Sequence, residues 1–181
     1  MDTEKIIQKF YDKESRLYKL LIIHSKAVTK KAIEIAKRIP HLHPDIKFIE
    51  EAAMLHDIWI FLTHYPKMDC FGNNPYICHG YLGREILEKE GLPKHALVCE
   101  RHTGTGISRE EIMTDKLPIP ARDMLPISIE EQIICYADMF FSKIIEPLDK
   151  EIEREEIRKE RLTFGKEKLY IFDQWTKKFW K

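Results

Sequence analysis

The chain is 181 residues long and 44% hydrophobic, enough for one domain with a substantial core. Its 30 Lys and Arg balance its 30 Asp and Glu, which excludes a strong overall field toward nucleic acid or an anionic membrane. Cys70, Cys78, Cys99 and Cys135 show no CxxC spacing and are expected to be reduced and buried. The opening MDTEKIIQKFYDKESR mixes both charges, without the apolar stretch of a secretory signal, and the apolar run at 20–23 is too short to span a bilayer. A cytoplasmic location is expected.

The pattern is helical nearly throughout. Leu17, Leu21, His24, Val28, Ile35 and Ile39 share one helical face that Pro40 ends. Asp45 is a suitable N-cap for a second helix whose inner face is Ile46, Ile49, Ala53 and His56, with Asp57 following. Residues 61–78, with Pro66, Gly72, Asn73, Asn74 and Pro75, read as an irregular loop. A helix then spans about 79–90, with His79, Leu82, Gly83, Ile86 and Leu87 inward, and Gly91 and Pro93 stop it. Another runs from 95 to about 102 and ends in Thr103-Gly104-Thr105-Gly106. Ser108 with Glu111 and Ser128 with Glu131 have capping-box spacing. The proline-rich stretch between them, KLPIPARDMLP, is a surface connection.

After Ser128 the spacing predicts a long helix carrying Ile134, Asp138, Phe141 and Ile145 on its buried face. The mixed-charge run 149–161 reads as a solvated helix, and a final helix carries Leu169, Phe172 and Phe179, with Trp175 and Trp180 nearby. No strand pattern stands out. The expected fold is all-α, a single domain over 1–181 with a core at about 17–145 and C-terminal helices at 149–181.

Three polar residues, His24, His56 and Asp138, interrupt core stripes on three different helices. A lone histidine on an apolar face is usually a core histidine bonded to a carbonyl. Repetition on separate helices argues instead for a common ligand, because a buried carboxylate needs a cation or strong donors. The ordered set His24, His56-Asp57, His79, His102 and Asp138 resembles that of the HD-domain metal-dependent phosphohydrolases, over residues 17 to 145. In that resemblance His24, His56, Asp57 and Asp138 are metal ligands. His79, in HGYLG, and His102, in ERHTG, match the further histidines of members that hold two metals. The HG and HTG contexts look like small stand-alone HD proteins, among them hydrolases of symmetric dinucleoside polyphosphates. Two features depart from the pattern: HDIG is replaced by HDIW, placing Trp59 where a small residue is common, and Phe61 and Leu62 occupy the stretch where many relatives have a lysine.

The resemblance implies an HD-type helical bundle in which His24, His56 and Asp138 hold one ion, His79 and His102 the other, and Asp57 bridges. Imidazole-rich donors suit one or two divalent transition metal ions (Fe, Mn, Co, Ni or Zn) better than Mg or Ca. A metal-activated hydroxide at a dinuclear centre would cleave a phosphate ester or anhydride of a nucleotide or similar small phosphorylated metabolite. Asp57 takes a catalytic role, and His64, if the 61–78 loop folds over the site, is a candidate general acid. Arg84, Arg101, Thr103 and Arg109 are candidate substrate contacts, each arginine weighed against an ordinary surface charge. Two other readings stay open, a di-iron oxygenase of the same fold and a non-catalytic metal-holding regulatory module. The expected partner is a small phosphorylated, nucleotide-like substrate, with neither nucleic acid nor membrane. The C-terminal helix packs either on the domain or on a second copy in a homodimer.

Overall fold

The computed structural model describes residues 1–180, and among them nine α-helices and one two-residue ladder form the fold. A short α1 (Thr3–Ile7), capped by the Asp2 carboxylate on Lys5 N–H, precedes the long α2 (Arg16–Arg38). Ser15 caps α2 and Asp45 caps α3 (Ile46–Leu55), each accepting from a backbone N–H three residues on. Helices α4 (His79–Lys89) and α5 (Pro93–Arg101) follow, then α6 (Arg109–Thr114) and α7 (Ile129–Asp138). Both expected capping boxes form, Ser108 with Glu111 on α6 and Ser128 with Glu131 on α7. The chain closes with α8 (Arg154–Thr163) and α9 (Lys166–Phe179).

Two large apolar clusters flank the middle of α2. One joins Val28, Ile35, Ile49 and Ala53 to Ile134 and Tyr136, and draws in Phe172, Trp175 and Phe179 from α9. The other joins Leu21 to Leu55, Ile58, Trp59, Leu87 and Ala96, and includes Ile7 and Tyr11 from the N-terminal segment. His24 sits on α2 between them, fully buried. All four cysteines are free and buried, as expected. No helix among the described residues is long and apolar enough to cross a membrane.

The structure corrects the sequence reading in four places. Helix α7 ends at Asp138, rather than running on past Phe141 to Ile145. Phe140 and Phe141 continue in tight turns onto the carbonyls of Ala137 and Asp138, and both rings stay buried. Ser142 then accepts the N–H groups of Ile144 and Ile145 on its side chain, turning the chain away and leaving Ile145 exposed. In the 61–78 segment, β1 (His64–Tyr65) pairs antiparallel with β2 (Cys70–Phe71), a ladder too short to show alternation. The short α1, which the sequence reading did not foresee, adds Ile7 to the second cluster. Finally, α8 is not wholly solvated, since it buries Ile157 and most of the Arg161 side chain.

Candidate metal centre

Five of the six expected ligands lie at helix ends. His56 and Asp57 follow the last turn of α3, His79 opens α4, His102 caps α5 and Asp138 ends α7. His56, Asp57 and Asp138 face His24 in the middle of α2, and His79 and His102 reach the same centre on the other side of Asp57. Close packing of α4 on α5 brings two of them together. A Cβ on Gly80 would lie 3.0 Å from the Cys99 carbonyl oxygen, and one on Gly83 would collide with Cys99 Sγ. The absence of a side chain at these two positions therefore sets His79 beside His102.

Three of the histidines are oriented by the same local device. His56 Nδ1 donates to the Ala53 carbonyl at 2.5 Å, His79 Nδ1 to Tyr76 at 2.6 Å and His102 Nδ1 to Cys99 at 2.7 Å. In each case the acceptor is the carbonyl three residues back. A carbonyl can only accept, so the proton must sit on Nδ1, and the Nε2 lone pair turns inward.

The inward atoms converge on Asp57. Its Oδ2 lies 3.1 Å from His56 Nε2 and 3.3 Å from His24 Nε2. Its Oδ1 lies 3.4 Å from His102 Nε2 and 3.5 Å from His79 Nε2. Asp138 Oδ1 completes the first side at 2.9 Å from His24 Nε2 and 3.4 Å from His56 Nε2. Two potential ligand sets result, His24, His56, Asp57 and Asp138 on one side and Asp57, His79 and His102 on the other. The carboxylate they share presents one oxygen to each.

This donor set fits divalent transition metal ions on its own chemistry. Asp57 Oδ1 and His56 Nε2 are buried with no hydrogen-bond partner among the described residues, which in a core is costly unless a cation meets them. His79 and His102 point their Nε2 atoms at each other across 3.0 Å while each Nδ1 already holds a proton. Two facing lone pairs repel unless a cation lies between them.

Lys143, which the sequence reading did not single out, belongs to this centre. Its Nζ is 2.7 Å from Asp57 Oδ2 and 3.5 Å from Asp138 Oδ1. The signal was present, a lone cation within the apolar run MFFSKII five residues past Asp138. The expected continuation of α7 hid it. The turn at Ser142 folds Lys143 back to where it supplies positive charge, while Phe61 and Leu62 stand where the HD resemblance leads one to expect a lysine. Tyr76, also missed, stacks on His79 with ring centroids 4.6 Å apart.

The charges shape the titrations. Burial opposes ionisation of Asp57 and Asp138, but Lys143 and the histidines outweigh it and hold both carboxyls well below the usual range. Burial would push His56 down, yet Asp57 and Asp138 carry it up to about 10. Burial, helped by His102, pushes His79 down to about 4, so it is neutral and ready to ligate at pH 7. These shifts give a stability prediction for the chelator-treated protein. His56 has a folded pKa of about 10 against 6.5 unfolded, so its contribution is full below pH 6.5 and is lost as pH rises toward 10. His79 acts on the other flank, because the fold refuses its proton down to about 4 and stability falls as pH drops below 6.5. The Tm of chelated protein should therefore decline from pH 7 to 10, whereas metal-loaded protein, with His56 Nε2 ligated, should not. Differential scanning fluorimetry across this range checks it, and parallel profiles for both forms would contradict it.

The remaining predicted residues fall in different places. Thr103 lines a cavity of about 510 Å³ whose wall includes His79, His102, Asp138 and Lys143. Arg84 is bonded to Glu88 and to the buried Glu100, which Arg122 also engages. Arg101 pairs with Glu131 at 3.0 Å. Both are structural ion pairs, not free phosphate contacts. Arg109 begins α6, its backbone N–H donating to Asp123 at 2.8 Å, and it is not on the cavity wall. His64 is exposed on β1 and likewise does not line the cavity. Trp59 needs no glycine-like geometry at φ −112°. Its indole packs edge-on against Phe10 at 5.2 Å and Phe61 at 4.4 Å.

A helical bundle that gathers four histidines and two aspartates from helix ends into paired ligand sets defines a metal-binding protein of the HD type. The chain belongs to the HD family, matching the HD domain over residues 21–141. It is similar to an uncharacterized protein of Methanocaldococcus jannaschii, 36% identical over 70% of each chain. It is also similar to proteins named tRNA (cytidine(56)-2'-O)-methyltransferase from Picrophilus torridus and Thermoplasma volcanium, at 37% and 34% identity over 68% and 67% of this chain. The matched region spans 32% of the length of each methyltransferase. No solved structure matches.

Proposed function

We propose that the protein is a metal-dependent phosphohydrolase that cleaves a phosphate ester or anhydride of a nucleotide or similar small phosphorylated metabolite. The observation that carries this reading is the shared carboxylate, with one Asp57 oxygen facing each histidine set. His24, His56 and Asp138 would hold one ion, His79 and His102 a second, and Asp57 both. Bound ions of this kind supply an activated water nucleophile and neutralise phosphate charge.

The chain's own residues do the rest. The three Nδ1–carbonyl bonds fix the orientation of the rings before any ligand arrives, and His56, carried up to about 10 against the effect of burial by Asp57 and Asp138, gives up its Nε2 proton on ligation. Lys143 balances Asp57 and Asp138, and lies on the cavity wall. An incoming phosphate offers its ammonium a third anionic partner within the same cavity. His64 has no part in this scheme.

The names of the methyltransferase relatives favour a second reading, in which the phosphate belongs to RNA. The expectation of no nucleic-acid partner does not fit those names and is not carried forward. One assay separates the readings. Metal-loaded protein is incubated without oxygen with nucleotides, dinucleoside polyphosphates and tRNA, and phosphate or nucleotide release is measured. Release from the small substrates supports the first reading, and release from tRNA alone supports the second. Turnover that requires oxygen would point to the oxygenase chemistry of the same fold and overturn both.

A further inference from the structure

Beside the metal cavity lies a second one of about 360 Å³, and the two share four wall residues, Thr103, Gly104, Arg161 and Phe164. Arg161 and Phe164 lie beyond residues 21–141, the stretch that matches the HD domain. The ridge between the cavities is thus built partly by a segment outside the family match.

Arg161 reaches across from α8 onto Gly104, where any Cβ would strike its Nη1. Its side chain is only 12% exposed, and its Nε is buried with no hydrogen-bond partner among the described residues. Its one carboxylate contact among the described residues is Glu160 at 3.0 Å, a side chain 56% exposed to solvent, and such a pair is weak. A largely buried guanidinium with spare donors calls for an anion. The wall it lines, shared with His79, His102 and Lys143, is where a phosphorylated molecule would lie.

The second cavity suits an uncharged, flat group. Its apolar side is Ile77, Ile107, Leu117 and Phe164. Phe164 is 64% exposed, a large outlay of apolar surface, and the Arg161 guanidinium lies 4.8 Å from its ring centre. The wall also holds Thr105, which is 3% exposed and whose Oγ1 has no hydrogen-bond partner among the described residues. Lys168 is not free for a ligand, since it bonds the Gly106 carbonyl at 2.7 Å and Glu111 at 2.8 Å. Those bonds instead tie α9 to the Thr103–Gly106 turn and hold the ridge in place.

We propose that this second cavity is the organic-group subsite, so that the substrate is a nucleoside diphosphate or a related phosphoanhydride with a flat ring. Its terminal phosphate lies at the metal ligands and its inner phosphate on Arg161. The ring rests against Phe164, with Thr105 Oγ1 available to a ring heteroatom. The assignment rests on the phosphohydrolase reading above. It makes Arg161 and Phe164 of the C-terminal segment, acting with the Thr103–Ile107 stretch of the HD core, the residues that select the substrate.

Full-length, metal-loaded protein is titrated calorimetrically with inorganic phosphate, methylenediphosphonate and α,β-methylene-ADP, none of which can be cleaved at the bond of interest. Affinity should rise along that series. Arg161→Gln should remove the gain of diphosphonate over phosphate, an effect of about tenfold for one charge-assisted hydrogen bond. Phe164→Ala should remove only the further gain from the nucleoside. Neither variant should change metal content or phosphate affinity, which also shows that both are folded. Equal affinity for all three ligands in the wild type, or unchanged series in both variants, overturns the subsite while leaving the phosphohydrolase reading intact. Failure of metal-loaded protein to bind inorganic phosphate at all removes that reading and this inference together.

Discussion

Asp57→Ala is expected to abolish both metal binding and turnover, the largest effect of any single substitution in the protein. Asp57 belongs to both ligand sets, with Oδ2 toward His24 and His56 and Oδ1 toward His79 and His102. Removing it strips the His79 and His102 set of its carboxylate, leaves the other set with Asp138 alone, and leaves Lys143 facing Asp138 at 3.5 Å. Loss of several kcal/mol of transition-state stabilisation corresponds to on the order of a thousandfold or more in rate. Because a buried charge is lost, Asp57→Asn provides a nearly isosteric second variant that keeps the packing. Circular dichroism establishes that both variants fold, and elemental analysis with the phosphate-release assay gives the result. Metal retained at wild-type stoichiometry in both variants would remove Asp57 from its bridging role.

The second large effect is expected at His79. This residue contributes only to the set with Asp57 and His102, and the set of His24, His56, Asp57 and Asp138 does not include it. His79→Ala should therefore leave one metal bound while turnover falls by on the order of a hundredfold. Its ring also stacks on Tyr76, so His79→Gln is the companion that preserves more of the contact. The partial phenotype distinguishes two ion sites from one. Loss of all metal in both variants would mean a single shared site, and unchanged turnover would return His79 to a packing role.

The sequence carried the ligands more clearly than their surroundings, for a physical reason. His24, His56 and Asp138 each occupy a position that helical periodicity assigns to an apolar residue, and polar groups there are conspicuous. Asp57, His79 and His102 come from their order and contexts within the HD resemblance, and the structure brings all six together. The helix starts at Asp45, Ser108 and Ser128 were equally legible, because these residues cap by local hydrogen bonds. Lys143 and Arg161 were hidden because their roles depend on where the chain turns. Ser142 reverses the backbone after α7, a side-chain to backbone competition that an apolar periodicity does not reveal. Arg161 sits in a mixed-charge run that reads as solvated, and only the approach of Gly104 shows that it is covered. Conversely, Arg84 and Arg101 looked available because their partners, Glu100 and Glu131, are distant in sequence and largely buried.

The account stands most directly on the metal content of the purified protein, determined by elemental analysis before and after mild chelation and again after resupply of metal. It predicts close to two equivalents of a divalent transition metal per chain, lost on chelation and regained on resupply, with phosphohydrolase activity following the metal. A protein that holds none and takes up none would contradict it, because the partnerless Asp57 Oδ1 and the facing Nε2 atoms of His79 and His102 would then have no cation to explain them.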